Sequence, residues 1–158
     1  MRYLGSKTLL LEQIFDLIKE YREGIFCDPF GGIGTVGSYM KEKDFHVITG
    51  DILNFAHFFQ YTLIERSAES DFTKLYQALQ VNCKEEFENV MNRLSVNDGW
   101  LIKEYAEKRG FFTKENAKKI QGCINSIQEW YDKELITDNE RKVLVASLIN
   151  SFDKVANT

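Results

Sequence analysis

The chain has 158 residues, of which 44 % are hydrophobic, a composition that fits one globular domain with a sizeable core. Its formal net charge of −4 argues against a protein that grips nucleic acid over its whole surface, because such binding relies on Lys and Arg meeting phosphates. No apolar run approaches the ~18 residues of a membrane span, and the N-terminus lacks the apolar segment of a signal peptide, so we expect a cytoplasmic protein.

The three cysteines, Cys27, Cys83 and Cys123, are widely separated and show no metal-type spacing. This pattern predicts neither a disulfide framework nor a zinc site. We expect free thiols buried in the core, and no metal site elsewhere in the chain.

The first part of the chain has the pattern of a βαβ unit. Apolar residues recur at helical spacing over 8–21, and Gly24 ends this predicted helix. A short apolar strand over 25–28, a glycine-rich turn, a helix over 34–43 and a second strand over 45–49 follow. We therefore predict two parallel strands joined by a right-handed crossover, with ligands bound at the carboxyl ends of the strands.

The turn after the first strand has the sequence DPFGGIG at residues 28–34 and contains the only proline of the chain. Glycine lacks a β-carbon, so this turn lets main-chain N–H groups approach a ligand closely and permits the positive φ angles that a strand-to-helix turn needs. The pattern is typical of a nucleotide-type binding loop. A purely structural glycine turn is the alternative, since a single glycine loop is a weak signal.

Two acidic residues, Asp28 and Asp51, stand at the carboxyl ends of the predicted strands. An ionised carboxylate has only acceptors and can take both hydroxyl groups of a ribose, which makes Asp51 the candidate ribose ligand. Asp51 can instead cap the helix that follows it. Asp28 can order the N–H groups of its own turn or hold a cationic part of the ligand.

From residue 53 onward the pattern is helical. Thr113 is one predicted helix start, and Thr137 or Asp138 is another. We expect Trp100 and Trp130 to lie in a helical core. The predicted helices span residues 53–65, 72–79, 83–94, 99–109, 114–134 and 138–155.

Three segments together resemble the opening of the DNA adenine methyltransferases of the Dam-like class. They are RYLGSK at residues 2–7, DPFGGIG at 28–34 and GDILN at 50–54, in the family's order and spacing. The later helical stretch matches only loosely. The resemblance implies an α/β fold, with a partial Rossmann-like methyltransferase sheet (a βαβ core) and a large helical region. It assigns residues 1–66 to the binding of S-adenosylmethionine and residues 67–158 to a helical region that contacts a partner, DNA or both.

The resemblance also implies a role for each matched residue. The N-terminal segment contacts the methionine part of the cofactor, and the Lys7 ammonium suits its carboxylate. The glycine turn wraps the methionine moiety, Asp51 binds the ribose, and Ile52 lies beside the adenine. The implied cofactor-binding residues are Tyr3, Gly5, Ser6, Lys7, Asp28, Pro29, Phe30, Gly31, Gly32, Gly34, Asp51 and Ile52.

A dinucleotide site is the obvious competitor for the glycine turn. It is disfavoured because the glycine spacing departs from GxGxxG. In addition, the leading Asp28 would repel a pyrophosphate, whereas it suits the α-ammonium of a methionine.

The family transfers the methyl group through an Asp-Pro-Pro-Tyr-type segment. Its first side chain and a backbone carbonyl accept hydrogen bonds from the target amine, and its aromatic ring stacks on the flipped base. No such segment occurs here, because Pro29 is the only proline and belongs to the cofactor turn. We therefore expect no catalytic residues in this chain.

The expected function is the cofactor-binding half of a site-specific DNA adenine methyltransferase of a restriction-modification system. A second subunit is expected to supply the missing segment, in a heterodimer that binds double-stranded DNA. An N-terminal fragment of a single-chain adenine methyltransferase is one alternative, and a non-catalytic regulatory or scaffold relative is another. A small-molecule methyltransferase is weaker, since it would explain only the cofactor half.

Overall fold

The structure is a computed structural model that describes residues 7–68 and 70–157. The described residues form two compact units, one up to residue 68 and the other from residue 70 onward. Across these ranges, no helix has both the length and the apolar character that crossing a membrane requires. The predicted division into a cofactor part and a helical part falls close to this boundary, and the roles of the two parts stay predictions.

The first unit contains the predicted strand–helix–strand order. Strands β1 and β2 pair in parallel, with Ile25 opposite His46 and Asp28 opposite Thr49, which confirms the predicted parallel pairing. A two-stranded sheet is less than a Rossmann core, and the right-handed crossover stays a prediction. The elements are a 3-10 turn (Thr8–Leu10), α1 (Leu11–Ile18), a second 3-10 turn (Lys19–Tyr21), β1 (Ile25–Asp28), α2 (Thr35–Glu42), β2 (His46–Thr49), α3 (Asn54–Gln60) and a π-helical turn (Tyr61–Glu65).

The described residues cover only one face of the two-stranded sheet. Val47 lies on the covered face, because a β-carbon at Gly37 of α2 would lie 3.3 Å from its Cγ1. The side chains that alternate with the covered ones are exposed on both strands, namely Ile25, Cys27, His46 and Ile48. Parallel sheets are normally buried on both faces, so within residues 7–68 and 70–157 one face of this sheet has no covering layer.

Two of the three cysteines contradict the sequence expectation. Cys27 and Cys83 are exposed, and only Cys123 is buried. Cys27 is exposed because it points to the open face of the sheet, and Cys83 because it stands at the start of a surface helix.

The second unit is helical and has two apolar cores. One core is centred on Leu75, Phe87 and Trp130, and the other on Ile102 and Phe112. The predicted helices are all present with boundaries shifted by one or two residues, apart from 99–109, whose main part is π-helical. The elements are α4 (Thr73–Leu79), α5 (Lys84–Arg93), a π-helical segment (Ile102–Lys108), α6 (Lys114–Asp132) and α7 (Asp138–Val155).

Both predicted helix starts are confirmed, and of the two candidates for the second start Thr137 is the capping residue. The Thr113 hydroxyl accepts the N–H of Asn116 at the start of α6. At α7, Thr137 and Glu140 form a reciprocal capping box, in which each side chain accepts the backbone N–H of the other.

The expectation for the two tryptophans is half right. Trp130 is buried in the first helical core, whereas Trp100 is 65 % exposed. Leu101 and Ile102, the next two residues, take the buried positions. The Trp100 ring instead packs edge-on against Tyr105 at the rim, with ring centroids 5.4 Å apart.

Candidate functional site

The carboxyl edge of the sheet brings the glycine turn and the segment around Asp51 together. The Gly50 N–H donates to the Asp28 carbonyl at 3.0 Å, and the Gly31 N–H donates to the Gly50 carbonyl at 2.9 Å. These two bonds continue the parallel pairing beyond the ends of the strands. The two matched segments that follow β1 and β2 therefore lie side by side.

Two glycines of the turn adopt the left-handed conformation that favours glycine. The φ angle is +53° at Gly32 and +82° at Gly34. The Gly34 N–H donates to the Gly31 carbonyl, and the Gly34 carbonyl accepts the N–H of Ser38 in the first turn of α2, both at 2.8 Å. The turn therefore reverses the chain between β1 and α2 within a few residues.

Gly31 is required for another reason, which is its close approach to β2. A β-carbon at Gly31 would lie 2.2 Å from Oγ1 of Thr49, a distance that real contacts do not reach. The Thr49 Oγ1 is itself buried, with no hydrogen-bond partner among the described residues. A polar atom thus lies unpaired directly beneath the turn.

The Asp51 carboxylate links the end of β2 to the glycine turn. Its Oδ1 accepts the N–H of Leu53 and its Oδ2 accepts the N–H of Gly32, both at 2.9 Å. The Leu53 N–H is the largest cause that lowers the pKa of Asp51; burial opposes it as the second largest effect, and the Gly32 N–H lowers the pKa further. Asp51 is therefore ionised at neutral pH.

The alternative role of Asp51 as a helix cap is met only in part. Helix α3 begins at Asn54, and Leu53 is the residue before it. Because the carboxylate accepts the N–H of Leu53, it orders the approach to α3 and bonds none of the helix's own first N–H groups in the described contacts.

Asp28 takes the first of its two predicted roles. Its Oδ1 accepts the N–H of Phe30 at 3.2 Å, so the carboxylate orders its own turn. The side chain is half-buried at the end of β1. Its second predicted role, contact with a cationic group of a ligand, stays a prediction.

The N–H groups of the turn were expected to approach a ligand, but in the structure they bond within the protein. Those of Phe30, Gly31, Gly32 and Gly34 all donate to oxygen atoms of the protein. These four donors therefore do not form an open anion-binding nest, which is what a pyrophosphate would need. The dinucleotide alternative loses support for this reason.

Apolar side chains flank the carboxyl edge on both sides. Phe30 follows β1 and is 89 % exposed, and Ile52 follows β2 and is 94 % exposed. Pro29 and Leu53, their neighbours, are exposed as well. Exposed apolar groups on both sides of a polar edge suit a ligand with a flat ring and a polar sugar.

The predicted N-terminal part of the site falls mostly outside the described residues, which is the case for Tyr3, Gly5 and Ser6. Lys7 is described and exposed, and its carbonyl accepts the N–H of Leu10 at 2.8 Å in the first 3-10 turn. Its contact with a methionine carboxylate stays a prediction.

Sequence reasoning missed Gln60. Its side chain is only 4 % exposed, and its Nε2 donates to the Gly32 carbonyl at 2.8 Å. A signal was present in the sequence, because Gln60 stands four residues from the apolar Ala56 and Ile64 within the predicted 53–65 helix, and these residues are buried together with Phe59. A glutamine in the middle of an apolar stripe indicates a specific polar contact.

The family model and the relatives that match this chain point to the same kind of protein. Residues 3–158 match the family model described as D12 class N6 adenine-specific DNA methyltransferase. The chain is 31 % identical over 166 residues to the modification methylase StsI of Streptococcus sanguinis, covering 100 % of this chain and 25 % of that protein. It is 33 % identical to the modification methylase LlaI of Lactococcus lactis subsp. lactis, covering 100 % of this chain and 26 % of that protein.

A shorter relative is the type II methyltransferase M.NlaIII of Neisseria lactamica, which is 28 % identical over 167 residues, or 47 % of its length. The chain therefore spans between about a quarter and about half of the curated relatives it matches. No solved structure matches the chain.

Proposed function

The chain belongs to the D12 class N6 adenine-specific DNA methyltransferase family, and we propose that it binds S-adenosylmethionine at the carboxyl edge of β1 and β2. The observation that carries this proposal is the hydrogen bond from the Gly32 N–H to Asp51 Oδ2. It joins the two matched segments into one polar edge. Asp51 would then contact the ribose while the turn meets the methionine part.

The described residues fit this ligand. Both oxygen atoms of Asp51 already accept one N–H, and a carboxylate oxygen has room for a second donor, so two ribose hydroxyls can be added. Phe30 and Ile52 provide apolar surface for the adenine. The unpaired Thr49 hydroxyl beneath Gly31 adds a polar atom close to the turn.

The bound cofactor would supply a methyl group carried on a sulfonium. The part of this chain would be to hold and orient that donor, since positioning of the reacting groups accounts for much of the rate in such a transfer. Phe30 and Ile52 would exclude water from the cofactor once a covering surface meets them.

We further propose that the target adenine is bound by protein that lies outside these 158 residues, in a second polypeptide or in a continuation of the chain. The relatives extend well beyond the matched segment, and the part of the chain that the structure describes leaves one face of the sheet uncovered. Two relatives are named modification methylases, which supports a role in the modification half of a restriction-modification system.

The first test is calorimetric titration of the purified chain with S-adenosylmethionine, compared with an Asp51→Ala variant. We expect the variant to bind about tenfold to a hundredfold more weakly, because it loses a charged acceptor for the ribose. Equal affinity of the two proteins would remove Asp51 from the site. No binding by the unaltered chain would favour the non-catalytic relative.

Asp71→Ala is the matched control for this titration. Asp71 also accepts the N–H of the residue two positions ahead, Thr73, at 3.0 Å, and its pKa is likewise lowered mainly by that bond. It lies in the second unit. We expect its loss to leave cofactor affinity unchanged.

The second test is methyl transfer from labelled S-adenosylmethionine to adenine in DNA. It uses the chain alone and the chain mixed with the polypeptide of the neighbouring reading frame. We expect product only from a mixture that includes an Asp-Pro-Pro-Tyr-type segment. Methylation by this chain alone would contradict the division of labour.

A further inference from the structure

Gly32 is held by side chains at both polar groups of its backbone. Its N–H donates to Asp51 Oδ2 at 2.9 Å, and its carbonyl accepts from Gln60 Nε2 at 2.8 Å. The two side chains come from different elements, the segment after β2 and the end of α3. Gly32 is buried and has a φ of +53°. The two hydrogen bonds therefore hold the turn at a residue with an unusual backbone conformation.

If Gln60 served packing alone, burial of its amide would cost free energy of folding. It is 4 % exposed and lies on the buried stripe of α3, where a leucine of similar size would bury apolar surface without a polar group. A buried amide is retained when its hydrogen bond selects one conformation from several, a use that is attested in some proteins.

The surroundings of Gln60 bring helix and turn unusually close. A β-carbon at Gly34 would lie 3.6 Å from the Gln60 Cα and 3.1 Å from Ile64 Cδ1. A β-carbon at Gly31 would lie 3.3 Å from Gln60 Nε2. Helix α3 and the π-helical turn after it therefore pack closely against the glycine turn, and Gln60 makes the hydrogen bond to Gly32.

We propose that Gln60 is a positioning residue that fixes the 28–34 turn in the conformation that receives the methionine part of the cofactor. Asp51 holds the same turn and also the ribose, so it couples the two halves of the site. Gln60 contacts only the turn in the described hydrogen bonds and therefore acts on one half. The inference rests on the proposed function.

The two roles predict different ligand selectivity. S-adenosylhomocysteine has the amino-acid tail that meets the turn, whereas methylthioadenosine has the same nucleoside without it. For Gln60→Leu we expect about tenfold weaker binding of S-adenosylhomocysteine, since the Gly32 carbonyl is left unpaired, and nearly unchanged binding of methylthioadenosine. For Asp51→Ala we expect both ligands to weaken. Calorimetry on the full native chain and on the two variants measures all six affinities.

Gln60→Glu keeps the shape of the side chain but makes its hydrogen bond depend on pH. If Gln60 served packing alone, ligand affinity of this variant would not change with pH in that way. An ionised carboxylate cannot donate to the Gly32 carbonyl, but a protonated one can, and burial raises the pKa of such a group. We expect its affinity for S-adenosylhomocysteine to recover as the pH falls from about 8 to about 6, whereas the affinity of Gln60→Leu does not.

Gln121→Leu is the matched control. Gln121 also contacts the backbone of another segment, because its Oε1 accepts the N–H of Leu101 at 2.9 Å, and it lies in the second unit. We expect this change to leave both ligand affinities as they are.

The outcomes separate this inference from the proposed function. A native chain that binds neither ligand contradicts both. If the native chain binds both ligands and Gln60→Leu binds them equally well, or loses both alike, only the positioning role is overturned. If Gln60→Leu fails to fold, the pH series of Gln60→Glu decides, and a flat series contradicts the role.

Discussion

Gly31 marks the closest approach between the glycine turn and the end of β2. A β-carbon there would lie 2.2 Å from Thr49 Oγ1, which belongs to a strand and cannot withdraw freely. We therefore expect Gly31→Ala to lower the free energy of unfolding by about 1–3 kcal/mol, the usual cost of overpacking. Urea unfolding followed by circular dichroism measures it.

Gly50→Ala provides the comparison for Gly31→Ala. A β-carbon at Gly50 meets nothing within 4 Å, and Gly50 also belongs to the backbone bonds between turn and strand. We expect a change of less than about 1 kcal/mol, in the stabilising direction, because alanine restricts the unfolded chain. Equal destabilisation by both substitutions would show that the contact with Thr49 is not the cause.

From the sequence, the residues at the carboxyl edge of the sheet could be predicted better than the hydrogen bonds that they form. Asp51 could be placed because a strand ends just before it, and the glycines because the turn needs positive φ angles. Gln60 could not be connected to Gly32, which lies 28 residues earlier, because that contact depends on how α3 packs against the turn. That the N–H groups of the turn donate to oxygen atoms of the protein could not be predicted from the sequence for the same reason.

At the scale of elements, the two strands expose a face that a parallel sheet normally buries. Ile25 is 62 % exposed and Ile48 is 51 % exposed on neighbouring strands. We expect this face to be covered by the protein that we propose lies outside these 158 residues, since parallel strands are flanked by helices on both sides. Cys27 lies on the same face and can report on its cover.

Thiol labelling tests the cover of this sheet face. In the isolated chain, we expect Cys27 and Cys83 to react readily with a thiol reagent and the buried Cys123 to react slowly. Burial raises the pKa of the Cys123 thiol, which slows it further. If the proposed second polypeptide covers this face, the rate at which Cys27 reacts should fall after that polypeptide is added. A stable complex in which Cys27 keeps its original rate would contradict the expected cover, and a Cys27→Ser variant assigns the signal.

The periodicity of apolar residues in the sequence predicted where helices lie but not which type of helix forms. It predicted α6 and α7 almost to the residue, because their apolar stripes and threonine caps agree. It gave no sign that Tyr61–Glu65 and Ile102–Lys108 are π-helical. That change adds one residue to a turn and depends on neighbouring packing, so an apolar stripe does not reveal it.

At the scale of the molecule, the two units differ in how they should respond to acid. Six described carboxyl groups have a pKa below their ordinary value, and five of these six lie in the second unit. They are Asp51 in the first unit and Asp71, Glu85, Asp98, Glu115 and Asp138 in the second. The unfolded chain therefore binds more protons than the folded one in acid.

We expect the second unit to lose stability as the pH falls below about 4 and to be insensitive to these groups between about pH 5 and pH 8. A lowered pKa in the folded state gives stability that is complete above the ordinary value and is lost as the group protonates. Trp100 and Trp130 are the only tryptophans and both lie in this unit, so their fluorescence reports its unfolding alone. Urea midpoints by fluorescence should be lower at about pH 3 than at pH 7.

Asp138→Asn identifies the electrostatic part of this response. The pKa of Asp138 is lowered first by its hydrogen bond with Lys142 and then by that with Arg141, at the start of α7. An amide retains the shape but not the charge, so the variant should lose part of its stability at pH 7 and show a smaller change in midpoint between pH 7 and about pH 3. Identical midpoints for the native chain at the two pH values would mean that these carboxylates do not stabilise the helical unit. A variant with the same pH dependence as the native chain would exclude Asp138 alone, and the cause would then lie with the other four groups.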